Sequence, residues 1–169
     1  MFMRLTEGKL NRISLLCLFT ASGNVTPPLI VFRNKRLSRP ISDSIPDEWG
    51  LAMNGHRTHL TYGLSQLCTE LEIILIALYP NATRILQPAD VSCFKPLKSY
   101  WKQGVLQWRR ENPYCQLGKC HFAPILENAL KHMKPETIIN GFRACGLWPW
   151  CPNGLDFSKC LGKKYAKYP

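Results

Sequence analysis

The stretch from residue 60 to residue 111 limits what this chain can fold into more than any other, because four patterns follow one another there without a break. Leu60, Leu64, Leu67 and Leu71 recur at helical spacing, which predicts an amphipathic helix over about Thr61–Glu70. Ile73-Ile74-Leu75-Ile76-Ala77-Leu78-Tyr79 is then a continuous apolar run of strand length, the pattern of a strand covered on both faces. With Trp49-Gly50-Leu51-Ala52-Met53 as a preceding strand stub, this order predicts a βαβ unit with a right-handed crossover. The Pro80-to-Pro88 loop carries the chain over the C-terminal strand edges, where α/β sheets keep their sites.

Asp90 opens the next helix, with Ser92 read as its N-cap and Pro96 tolerated in its first turn. Phe94, Leu97, Trp101, Val105 and Trp108 line one face of that helix, and Lys95, Lys98, Lys102 and Arg109 line a neighbouring face. It ends near Asn112-Pro113. Two shorter helices are expected beyond it, about Pro124–Met133 and Pro135–Cys145, each opened by a proline and the second closed by Gly146. Ser158 to Pro169, with Lys159, Lys163, Lys164 and Lys167, reads as a disordered basic tail.

Upstream, Leu10–Thr20 is β-prone, Ala21-Ser22-Gly23-Asn24 is turn chemistry, and Pro27-Pro28-Leu29-Ile30-Val31-Phe32 follows, so residues 10–33 read as a β-hairpin. Arg33 to Trp49 is polar, with two prolines, and reads as an irregular surface loop. Asn54-Gly55-His56-Arg57-Thr58-His59 is a polar turn carrying two histidines.

Charge narrows the partner. Lys and Arg number 22 against 11 acidic residues, and the net charge of +11 favours a polyanion, nucleic acid before an anionic membrane. No run approaches the ~18 consecutive apolar residues of a membrane-spanning helix, and Arg4, Glu7, Lys9 and Arg12 interrupt the start, so the expectation is an intracellular protein that is neither secreted nor embedded in a membrane. The 169 residues suit one domain with a core of its own. Cys17, Cys68 and Cys93 lie in apolar or helical surroundings and read as buried thiols. Cys115, Cys120-His121, Cys145, Cys151 and Cys160 leave a zinc site open, although their loose spacings, without a Cys-x2-Cys pair, favour reduced thiols.

Taken together, Asn54-Gly55-His56-Arg57-Thr58-His59 and Leu78-Tyr79-Pro80-Asn81-Ala82-Thr83-Arg84-Ile85-Leu86-Gln87-Pro88-Ala89-Asp90-Val91 resemble the DDE superfamily endonuclease domain of pogo/Tigger-type transposases, the family that includes jerky and centromere protein B type genes. In that family the first segment reads Asp-Gly-His-x-x-His and the second Leu-Pro-Pro-x-x-Thr-x-x-Leu-Gln-Pro-Leu-Asp-Val. The hairpin looks like the family's second and third strands, and Phe142-Arg143-Ala144-Cys145-Gly146-Leu147-Trp148-Pro149 is similar to the Ala-Phe-x-x-Thr-Gly-Ile-x-Pro segment that closes the domain. The resemblance implies an α/β fold: a partial RNase H-like core (β-hairpin, βαβ unit, site helix) over residues 1–112, a small helical C-terminal subdomain over 113–157, and the basic tail over 158–169. The few residues between Pro46 and Asn54 leave no room for the helix and buried strand that the family places there, so an internal deletion near residues 50–53 is expected.

Such nucleases hold two Mg2+ (or Mn2+) ions about 3.5–4 Å apart with three carboxylates, since hard cations need oxygen ligands and negative charge. The family's first acid lies on a strand upstream of the hairpin, and Glu7 is a poor substitute for it. The second aligns with Asn54, whose amide supplies an oxygen but no charge. The third aligns with Asp90, 35 residues further on. One acid of three therefore remains, with Asp90 as the metal ligand and metal binding expected to be weak or absent.

His56 and His59 follow the motif as supporting residues, and Arg57, Arg84, Lys95, Lys98, Lys102 and Arg109 are the candidates for contact with a nucleic-acid backbone, DNA first, with no small-molecule substrate. The family and the charge imply a nuclear location. No helix-turn-helix module is seen, so sequence-specific recognition of transposon ends is not expected. Two functions stay open. One is a transposase-derived nucleic-acid-binding domain that no longer cuts, and the other is a decayed fragment or protein-interaction module with no nucleic-acid role. A competent nuclease is a weaker third.

Overall fold

The structure is a computed structural model that describes residues 2–4, 13–32, 36–53, 62–74, 76, 78, 82–155 and 157. The expected hairpin forms: β2 (Ile13–Leu16) pairs antiparallel with β3 (Leu29–Phe32), Leu15 opposite Ile30. Alternation along β2 buries Ile13 and Leu15, and both face a core that Ile30 and Phe32 share. The turn between the strands is tied by the Thr20 side chain, whose hydroxyl accepts from the Asn24 N–H at 3.0 Å, and by Gly23 at φ +91°. A Cβ at Gly23 would stand 3.0 Å from the Pro135 Cβ, so this end of the hairpin sits directly on the start of a later helix.

Two further strands complete a four-stranded sheet in the order β1-β2-β3-β4. β1 (Phe2–Arg4) runs antiparallel beside β2, a strand that the sequence reading did not anticipate. β4 (Gly50–Met53) is the anticipated stub and runs parallel to β3, with the Gly50 N–H donating to the Pro28 carbonyl at 3.0 Å. The loop between β3 and β4, expected to be irregular, contains one short helix, α1 (Arg39–Ser42), whose first turn holds Pro40.

Among the described residues the expected βαβ unit is not found. Its helix is present as α2 (Tyr62–Glu70), but Ile73, Ile74, Ile76 and Leu78 belong to no strand, and Ile74 and Ile76 are 87% and 80% exposed. The chain leaves α2 through Glu72 at φ +55°, and Ile73 donates its N–H back to the Cys68 carbonyl at 2.7 Å. A buried strand needs a ladder on one side and cover on both faces, and the described part of this run has neither. The run is apolar, but at Ile74 and Ile76 it is exposed rather than laid into a sheet.

After α3 (Thr83–Leu86), a π-helical turn over Ala89–Cys93 runs straight into α4 (Phe94–Glu111). Ser92 is therefore not an N-cap. It lies inside the turn, and its hydroxyl donates to the Pro88 carbonyl four residues back at 3.1 Å. α4 buries Phe94, Leu97, Trp101 and Val105 as its periodicity predicts, half-buries Trp108, and stops at Asn112 before Pro113. α5 (Phe122–Lys131) and α6 (Pro135–Ala144) match the two short helices expected. Gly146 at φ +62° ends α6, its N–H donating to the Arg143 carbonyl at 2.9 Å.

One cluster of buried side chains joins Ile13, Leu15, Ile30 and Phe32 of the sheet to Leu97 and Trp101 of α4, Phe122 and Leu126 of α5, and Ile138 of α6. Trp101 packs on Phe122 with ring centroids 4.9 Å apart, and its buried indole N–H has no hydrogen-bond partner among the described residues. Burying roughly 150–250 Å2 of indole at about 25 cal/mol per Å2 is worth roughly 4–6 kcal/mol. That exceeds the roughly 1–3 kcal/mol lost at the orphaned donor. The core therefore tolerates an indole at this position.

Cys17, Cys68 and Cys93 are buried as expected. Burial pushes the Cys17 thiol from an ordinary 9.0 up to about 12, and the nearby Cys93 adds to this. In the unfolded chain the thiol ionises above its ordinary value, whereas in the folded chain it stays protonated until about 12. The unfolded state then binds fewer protons, so stability is unaffected below pH 9 and falls by about 1.4 kcal/mol per pH unit above it. Urea unfolding at pH 8 and at pH 10 should show that loss, and Cys17→Ala should flatten the difference. An equal pH slope in the Cys17→Ala variant would contradict the assignment.

Candidate functional site

Asp90 sits in the first part of the π-helical turn, its N–H donating to the Gln87 carbonyl at 3.0 Å. The backbone direction set there is inherited by α4, so residues one to three turns further along share a side with the carboxylate. Lys95, Lys98 and Lys102 are spaced three and four apart, the interval at which helical side chains become neighbours. They are exposed, and with Asp90, Phe94 and Ser99 they line an open depression of about 470 Å3. Its floor is the buried Phe94 ring, which meets Phe19 of the hairpin edge-on at 6.1 Å. No described cation forms a salt bridge with Asp90.

Of the residues proposed from sequence, then, Asp90, Lys95, Lys98 and Lys102 come together. Arg109 is exposed on α4 but lies about 10 Å beyond Lys102 along the axis and outside the depression. Arg84 is exposed on α3, likewise outside it. Asn54, His56, Arg57 and His59 fall outside the described residues, as do Glu7, Cys160 and the tail 158–169.

Sequence reasoning missed two contributors. Ser99 lies four residues after Lys95 and three before Lys102, and helical spacing alone places it on their face. Gly141 is the other. A Cβ there would collide with the Ser92 hydroxyl and stand 3.0 Å from the Pro88 carbonyl, so α6 touches the Asp90 turn backbone to backbone at this glycine. The signal was a glycine in the middle of an amphipathic helix, which costs about 1 kcal/mol against alanine and calls for a packing reason.

Among the described residues the donor set does not fit a two-cation site. Asp90 is the carboxylate among the lining residues, and no group of three or more His, Cys, Asp or Glu among the described residues could hold a metal ion. Cys120 and His121 are adjacent, but the His121 Nδ1 accepts the Gly118 N–H at 3.0 Å and its ring lies on Trp108 at 4.5 Å, a packing role. No helix among the described residues is long and apolar enough to cross a membrane.

Comparison with known proteins fits this geometry. The family model described as DDE superfamily endonuclease matches residues 38–142, more than half of the chain, and the chain belongs to that family. It is a transposase-derived domain of a class that is generally metal-dependent and acts on nucleic acids. The mixed sheet with its helices is consistent with a partial RNase H-like fold. A relative from Cochliobolus lunatus described as the MFS-type transporter clz9 is 29% identical over 108 residues, 61% of this chain and 11% of that protein. The chain thus spans about a tenth of that relative's length, and the name belongs to the relative. No solved structure matches.

Replacing Gly141 tests how tightly the Asp90 turn is held. Gly141→Ala gains about 1 kcal/mol of helix propensity but loses about 1–3 kcal/mol to overpacking against a carbonyl that cannot rotate away. A net loss of up to about 2 kcal/mol is expected in urea unfolding. An unchanged or higher midpoint would mean that α6 does not need the close approach.

Proposed function

We propose that this domain binds nucleic acid, DNA first, through the Asp90–Lys102 side of α4, and that it does not cleave it. The observation that carries this is the depression in which three lysines and one aspartate share a helix face. Three ammonium groups at helical spacing can neutralise successive phosphates and release their counterions, which makes binding insensitive to sequence and sensitive to salt. The motif around Gln87-Pro88-Ala89-Asp90-Val91 supports a pogo/Tigger-type origin within the family, and with it a nuclear location. Loss of cleavage follows from charge: two cations need three anionic ligands, and an amide stands at position 54. A decayed fragment or protein-interaction module is the second reading, favoured by the exposed side chains of Ile73, Ile74 and Ile76.

Log affinity for duplex DNA should fall linearly with log salt, and replacing Lys95, Lys98 and Lys102 by alanine should reduce the slope by about one unit per lysine, evenly across sequences. Arg109→Ala should have the smaller effect. Unchanged affinity and slope in the triple variant, with binding abolished by removing residues 158–169, would move the interface to the tail.

No strand cleavage is expected with Mg2+ or Mn2+, and Asn54→Asp should strengthen metal binding at Asp90 without restoring cleavage. Metal-dependent nicking by the purified chain that disappears in Asp90→Ala would overturn the inactive assignment.

A further inference from the structure

We infer that the turn after α6 is a base-stacking platform for single-stranded nucleic acid, made by the indoles of Trp148 and Trp150; the inference rests on the nucleic-acid reading of the Asp90 groove. The chain holds five tryptophans, and three behave ordinarily: Trp49 and Trp101 are buried and Trp108 is half-buried. Trp148 and Trp150 are instead 62% and 72% exposed. An indole offers roughly 150–250 Å2 for burial, so two on the surface mark a place where a partner can cover them.

The backbone beneath them is fixed. Leu147 donates its N–H to the Phe142 carbonyl at 3.0 Å, Leu147 and Trp150 form an antiparallel bridge, and Cys151 donates to the Gly146 carbonyl at 2.9 Å. A Cβ at Gly146 would stand 2.5 Å from the Cys151 carbonyl oxygen, so the turn closes tightly on itself. Rings held on a rigid turn lose little freedom on binding, which favours stacking.

Charge and position select the partner. The chain carries a net charge of +11, and Arg143 is exposed in the last turn of the helix that leads to the indoles. That same helix touches the Asp90 turn at Gly141, in the turn before its C-terminal end. Single-stranded nucleic acid offers phosphates to Lys95, Lys98 and Lys102 and unpaired bases to the rings, and every base has a face that an indole can cover. Bases paired inside a duplex are not available in this way. An aliphatic patch such as Leu71, Ile73, Ile74 and Ile76 suits a protein; exposed indoles on a basic chain suit bases.

The full chain is titrated with a thymidine 20-mer, a duplex of the same length, and heparin as a polyanion without bases. The 20-mer should quench the exposed tryptophan emission and protect it from acrylamide, and heparin should not. Trp148→Ala with Trp150→Ala should weaken 20-mer binding roughly tenfold or more, with duplex affinity and salt slope unchanged, and tyrosine at both positions should restore most of it. Unchanged 20-mer affinity in the alanine variant, or equal losses for all three ligands, overturns the proposal. If the alanine variant is misfolded by circular dichroism, acrylamide protection of the unsubstituted chain decides, and lack of protection by the 20-mer overturns it. The Lys95, Lys98 and Lys102 alanine variant separates the two ideas. If it weakens every ligand while the tryptophan variant weakens none, the platform fails and the groove stands; if it weakens none while the tryptophan variant weakens the 20-mer alone, the groove fails and the platform stands.

Discussion

The burial of one face of α4 sets the geometry of everything around it. Phe94, Leu97, Trp101 and Val105 are packed between the sheet residues Ile13, Leu15, Ile30 and Phe32 and the α5 residues Phe122 and Leu126. A helix pinned by four large side chains cannot rotate about its axis, because the core it fills is close-packed. Lys95, Lys98 and Lys102 each follow a pinned residue by one position, which turns each about 100° away from the core. The basic face is therefore a by-product of apolar packing, and a change that loosens Leu97 or Trp101 would disperse the lysines as well as cost stability.

Features governed by local pattern were legible in the sequence: the two strands of the hairpin, the phase of α4, the proline-opened α6 and the glycine that ends it. Each depends on residues close in sequence, where periodicity and φ preference act directly. Features decided by distant partners were not. Ile73–Tyr79 has the composition of a buried strand, but composition cannot supply a ladder, and Ile74 and Ile76 stand exposed. Ser92 has the chemistry of a cap, yet the π-helical turn extends the helix past it and redirects its hydroxyl to Pro88. β1 shows the converse case, since three residues carry too little pattern to be seen and pair because β2 offers an edge.

At the candidate site, the family resemblance pointed to Asp90, and helical spacing pointed to its neighbours. Gly141 was beyond either route, because its reason is an approach between α6 and the π turn that only the tertiary structure creates. The contact ties the C-terminal helices to the segment carrying the acid, and Gly23 against Pro135 ties the same helix to the hairpin turn. α6 thus braces the site from two directions without contributing a side chain to its lining.

The lining residues also carry an electrostatic argument about what this site can still attract. Three ammonium groups face one carboxylate, so the depression is positive before anything binds. A divalent cation approaching Asp90 is drawn by one charge and opposed by three, and even in water each such pair at about 6 Å is worth roughly 1.4 kcal/mol. A phosphate meets the opposite sum. In a site with three carboxylates the metal ions come first and screen the acids from the substrate backbone. Here the three ammonium groups leave the depression attractive to an anion without a bound cation, and the single acid limits how far an anion can move toward the turn.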